Sequence, residues 1–207
     1  MTVASARAPI LELLGQVHAR KDAAYRDAWR KRGELLGIFP NIARKYDRLT
    51  VAMAEEEPAT VEPLGGTVGD LCVYAAKYLT WLAEIHPDPV GATAHGPDPE
   101  TLRADHGAQA VDAVFTQLAE AEAALSEPFP KDVADAWDRI EDAFGPLEAG
   151  LMEQAQRPVN DPAWVNKKIE HAWRLTGATA SMLLRLHELD PSHLDSLRAE
   201  ANRGTAG

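Results

Sequence analysis

The sequence predicts an all-α protein, a bundle of about six to seven helices. Apolar residues recur at three- and four-residue steps along nearly the whole chain. No segment shows the β-branched alternation of a half-buried strand. Prolines and glycines gather in a few stretches that punctuate the periodic segments instead of interrupting them. With 207 residues the chain is long enough for one or two domains with a real core.

Ile10, Leu11, Leu14, Val17 and His18 form one face of a first helix that can run on through Tyr25 and Trp29, and Gly33 and Gly37 break the pattern. Pro40 then suits the first turn of a second helix, where its missing N–H costs little. Ile42, Tyr46, Leu49 and Met53 line that helix, which ends near Glu55-Glu56-Glu57-Pro58. After a loop over Pro58–Gly66, Val68, Leu71, Cys72, Ala75, Tyr78, Leu79, Leu82 and Ile85 mark a third helix. It is apolar nearly all round, the signature of a central, buried element. Val111 to Leu125 mark a fourth. Val133 to Leu151 mark a fifth, with a kink expected at Gly145-Pro146. Trp164 to Leu186 mark a sixth, and Pro191 starts a short seventh. The Pro- and Gly-rich stretch at 87–100 reads as a linker between residues 8–86 and a C-terminal helical region, 101–202, packed on the first.

Composition narrows the function. Lys and Arg number 21 against 32 Asp and Glu, a net charge of −11, so nucleic acid and anionic membranes are poor partners. A small anion is still compatible, because a few local cations can reverse the sign inside one pocket. No run approaches the length of a membrane span, and the first nine residues lack a signal-peptide core. A cytoplasmic protein is expected. Cys72 is the single cysteine, so neither an intrachain disulfide nor a Cys-rich zinc site can form. The seven histidines show no zinc-type spacing.

The densest polar run covers Lys21-Asp22, Tyr25, Asp27, Trp29-Arg30-Lys31-Arg32, Asn41, Arg44-Lys45 and Asp47-Arg48. Asn41, Arg44, Lys45 and Arg48 fall at i, i+3, i+4 and i+7 of one helix, so they share a face. Three cations and an amide there would suit phosphates; the alternative is a solvated face of weak ion pairs. Asp70 opens the most apolar helix. It is either a helix cap or a ligand for a hard cation, with Asp47 the natural second carboxylate if packing brings the two together. Tyr25 and Trp29 lie beside the basic cluster and either pack in the core or stack on a base. Cys72 and the other tryptophans read as core.

These residues carry a resemblance. The run from Lys21 to Glu34, the block Asn41-Ile-Ala-Arg44-Lys45-Tyr-Asp47-Arg48 and the segment Asp70-Leu-Cys-Val-Tyr74 resemble the nucleotide-modification-associated domain of phages and bacteria, over about residues 10–84. The layout is distantly similar to MazG-like all-α nucleotide pyrophosphatases. The resemblance implies a Mg²⁺-dependent nucleotide-phosphate hydrolase tied to nucleotide or DNA-base modification. Asp47 and Asp70 would hold the metal, and Asn41, Arg44, Lys45, Arg48, Tyr25, Trp29 and Tyr74 would hold the nucleotide. Relatives carry acidic residues just before the Asp-Leu-x-x-Tyr segment, where Gly65, Gly66 and Thr67 stand here. Their loss keeps open an alternative: a non-catalytic helical module for nucleotide sensing or protein interaction. Covering the third helix requires either the C-terminal helices of the same chain or a second copy in a homodimer.

Overall fold

A computed structural model describes residues 3–54, 63–86, 108–120, 129–156 and 162–203. Every element in it is helical, and among the described residues there is no strand. The chain runs α1 (Val3–Tyr25), a 3₁₀ turn (Arg26–Trp29), a π-helical turn (Glu34–Ile38), α2 (Phe39–Ala54), α3 (Leu64–Ile85), α4 (Ala108–Glu120), α5 (Val133–Gln156), α6 (Pro162–Leu189), a second 3₁₀ turn (Pro191–Leu194) and α7 (Asp195–Asn202). The run Glu55–Glu57 and the stretch at 87–100 lie outside the described residues.

Helix α3 packs most extensively on α6, and α5 covers another side of α6. Helix α1 packs on α4 and α7, and α2 packs on α3. The C-terminal helices of the same chain therefore cover α3. Leu71, Cys72, Ala75, Leu79 and Leu82 of α3 are fully buried, as are Leu175, Thr176, Ala180, Met182 and Leu183 of α6. Each large apolar side chain removed from water here contributes roughly 1.5–3 kcal/mol. Cys72 is core filler, its Sγ lying 3.5 Å from the Thr176 carbonyl oxygen of α6.

Large aromatics bridge α2 and α5. The Tyr46 ring lies 3.8 Å from that of Phe144 and 5.3 Å from that of Trp137, centroid to centroid, and Phe39 stacks on Phe144 at 5.9 Å. Such pairs add on the order of 1 kcal/mol each beyond the area they bury. Elsewhere small residues permit close approach: the Trp164 ring sits where a Cβ on Gly150 would fall, 1.8 Å from its nearest atom.

Helix α5 runs on through Gly145-Pro146, both exposed. The break between α1 and α2 is itself structured. Gly33 adopts φ 70, a left-handed conformation that favours glycine, and the next five residues wind as a π-helix.

Candidate functional site

The polar residues that meet in the interior come from three helices and one turn. Helix α1 presents His18, Lys21 and Asp22 at i, i+3 and i+4, one face by helical geometry. Helix α2 adds Lys45, and α3 adds Asp70, Tyr74 and Lys77 at i, i+4 and i+7. The 3₁₀ turn after α1 brings in Trp29.

Asp70 is the hub. Its Oδ1 accepts from Lys21 Nζ at 2.8 Å and its Oδ2 takes Lys45 Nζ at 2.6 Å. Lys77 Nζ lies 3.8 Å from Asp22 Oδ1, 5.2 Å from the Trp29 ring centroid and 6.0 Å from that of Tyr74. The side chains of Lys45 and Lys77 are only 6% and 9% exposed, whereas Lys21, at 36%, opens to solvent. Among the described residues, three ammoniums thus face two carboxylates. Charges so far from water persist only when paired.

Burial alone would push the Asp70 carboxyl up, but Lys21 and Lys45 reverse this and hold it below its ordinary value. For Lys21, burial is outweighed by Asp70, with help from Glu200 of α7, and its ammonium is held on more tightly than usual. Lys77 goes the other way: burial, aided by the neighbouring Lys21, overcomes Asp22 and Asp70 and lowers it. His18 is 1% exposed, neither ring nitrogen has a hydrogen-bond partner, and burial followed by the Lys77 charge lowers it to about 3.

The sequence-derived face on α2 is divided. Lys45 lies at its inner edge, toward Ile42 and Leu49, while Arg44 and Arg48 are exposed. Asn41 donates to the Gly37 carbonyl oxygen at 2.7 Å and accepts from Arg44 at 3.3 Å. Asp47 follows Lys45 by two residues, which turns it about 200° round the helix, and it is exposed. With Lys45 directed at Asp70, Asp47 faces away from it, so the packing does not bring these two aspartates together. Both Asp70 oxygens already receive ammoniums. Among the described residues no group of three or more His, Cys, Asp or Glu side chains could hold a metal ion. The described donor set thus does not fit the implied Mg²⁺. Trp29 and Tyr74 do flank the cluster, through Lys77. The side chains of Tyr25 and Asp27 lie outside the described residues.

Gly65 and Gly66 have a packing reason. A Cβ on Gly65 would lie 2.0 Å from the His193 carbonyl oxygen, one on Gly66 3.2 Å from Ser196 Oγ, and one on Gly69 2.9 Å from a Leu197 methyl. The turn before α7, and α7 itself, occupy the space that acidic side chains at 65 and 66 would need. Arg20 donates to the Glu200 carbonyl oxygen, tying the far end of α7 to α1.

A second polar cluster lies deeper. Glu34 accepts from Tyr78 Oη at 2.5 Å, Lys168 Nζ at 2.8 Å and Gln154 Nε2 at 2.8 Å. Gln154 Oε1 in turn accepts from Trp164 Nε1 at 2.8 Å and Lys168 Nζ at 3.2 Å. Burial, then the Glu34 charge, raises the Tyr78 hydroxyl well above its ordinary value. Every polar atom named here is paired, so the cluster works as a clamp joining the π-helical turn, α3, α5 and α6. Sequence reading missed this clamp, and also Lys77 and the polar role of His18. One signal was present: Lys77 is the single cation in the twenty-two residues of α3.

Comparison with known proteins finds one informative likeness. The chain is similar to a phage protein. It is 31% identical over 117 residues to the Gene 30 protein of Bacillus phage SP01, covering 46% of this chain and 52% of that protein. The chain thus spans about half the length of its phage relative. No family model and no solved structure matches. No helix among the described residues is long and apolar enough to cross a membrane.

Proposed function

We propose that the chain binds the phosphate of a nucleotide at the lysine cluster, without turning it over. The observation that carries this reading is the convergence of Lys21, Lys45 and Lys77, from three helices, on two carboxylates inside a chain of net charge −11. Asp70 holds two ammoniums much as a phosphate oxygen pair would, Lys21 gives access from solvent, and Trp29 and Tyr74 offer ring faces to a base. The resemblance to nucleotide-modification-associated domains of phages and bacteria agrees with it, and the likeness to a phage protein fits the phage side of that resemblance. The hydrolase of that resemblance, with Mg²⁺ on Asp47 and Asp70 and phosphates on Asn41, Arg44, Lys45 and Arg48, is the competing reading. It needs two carboxylates on one side of α2, and Asp47 and Asp70 do not stand so.

Asp70→Asn separates the two. Removing its charge takes from Lys21 and Lys45 the carboxylate that both ammoniums contact. On the binding reading the variant melts lower than the wild type and gains more from pyrophosphate or a nucleoside triphosphate, with several-fold tighter binding and no need for Mg²⁺. On the hydrolase reading the wild type releases phosphate, pyrophosphate or monophosphate only with Mg²⁺, and the variant is inactive. If neither pyrophosphate nor any of a panel of nucleotides shifts the melting temperature of either protein, the site is a structural ion-pair network and the proposal falls.

A further inference from the structure

His18 is a buried polar side chain that the pairing of this interior leaves out. Both imidazole nitrogens lack a partner, although nearly every buried polar group in a folded protein finds one. It lies on α1 one turn before Lys21 and Asp22, within reach of the Lys77 charge of α3. Resting on the anion-site reading above, we propose that His18 is a conditional fourth cation of the site. It takes up a proton when an anion docks on the lysines and gives it back when the anion leaves.

The surroundings dictate the direction. From α3 the Lys77 charge acts on the imidazole, with Asp70 and Tyr74 on the same face of that helix. On α1 its neighbours are Lys21 and Asp22, and α2 adds Lys45 to the same cluster. Helix α7 brings Glu200 toward Lys21, and α4 places Asp112 against α1 at Gly15. The buried residues of α6 from Leu175 to Leu184 include no ionisable side chain. In the free chain burial, and after it the Lys77 charge, disfavours a proton on the ring, which is neutral and unpaired. A docked phosphate supplies negative charge and acceptor oxygens together. The ring can then take a proton from solvent and donate it in a hydrogen bond, with no bond made or broken in the ligand.

Anion binding would then be coupled to proton uptake and tighten as pH falls. The test is titration calorimetry of the full chain with pyrophosphate, at pH 5.5, 6.5 and 7.5, in pairs of non-phosphate buffers that differ in ionisation enthalpy. Wild type and His18→Leu are compared, so that the protonation of pyrophosphate itself cancels. The wild type should take up close to one more proton per ligand at pH 5.5, and its affinity should rise about tenfold more between pH 7.5 and 5.5. If His18→Leu does not fold, proton NMR of the wild type replaces it: a histidine resonance silent above pH 5 should begin to titrate there once pyrophosphate is added. Equal proton uptake in the two proteins, or no newly titrating histidine, overturns the coupling and leaves the anion site standing. Absence of any binding across the pH range overturns both.

Discussion

Replacing Lys168 by Met tests whether the buried clamp holds the two ends of the chain together. The Lys168 side chain is 4% exposed and Glu34 is 8% exposed, with 2.8 Å between Nζ and Oε1. Met fills much the same volume, so cavity formation contributes little. What is lost is the counter-charge of a carboxylate still held by Tyr78 and Gln154, together with the 3.2 Å bond from Nζ to Gln154. Leaving a buried charge unpaired costs about 3–5 kcal/mol. For a chain of this size a urea slope near ~2 kcal/mol/M turns that into a midpoint about 1.5–2.5 M lower. The double variant Glu34→Gln, Lys168→Met has no buried charge left to strand. It should be more stable than Lys168→Met alone by at least ~1 kcal/mol, although it carries one more substitution. Urea unfolding followed by circular dichroism on all four proteins gives the cycle. Strictly additive losses, or a Lys168→Met cost below ~1 kcal/mol, would show that the pair lies in a wetter place than the geometry implies.

Gly65→Ala puts a methyl 2.0 Å from a main-chain oxygen, with backbone on both sides of the contact, so the 191–197 segment must lift. Uncovering Leu194 and Leu197 would cost up to about 3–6 kcal/mol, and hydrogen exchange of their amides should accelerate; unchanged protection counts against the seat described. Acid should weaken the fold from well above the carboxylate range. His18 is lowered to about 3 in the native chain, so the unfolded chain binds its proton first and stability falls by about 1.4 kcal/mol per pH unit from 6.5 toward 3. Asp70, lowered by its lysines, adds a further loss as pH drops through and below its ordinary value. A urea midpoint that stays flat between pH 6.5 and 4 would refute the burial of His18.

The helices were legible because their apolar periods are long and their boundaries carry Pro or Gly; Pro40 in the first turn of α2 and Pro191 before α7 sit as read. The π-helical turn was not, since Gly33 and Gly37 signal only an interruption. Gly37 in fact packs under the Trp29 carbonyl oxygen, where an added Cβ would lie 3.1 Å away. Asp70 and Lys45 were visible as candidates but not as partners. Spacing defines a face and does not say which edge of it turns inward, so Lys45 was grouped with Arg44 and Arg48, which point elsewhere. The clamp was beyond reach for a different reason. Glu34 and Lys168 are 134 positions apart, and nothing in either local pattern marks the other.

The seat of α7 on the glycines of α3 bears on how the chain is born. A ribosome adding roughly 5–20 residues per second needs about 6–20 s to travel from the end of α3 to Leu197, whereas apolar collapse takes microseconds. Through that interval the most apolar helix has been made but its final cover has not, so the side of α3 that seats α7 is the last to be closed.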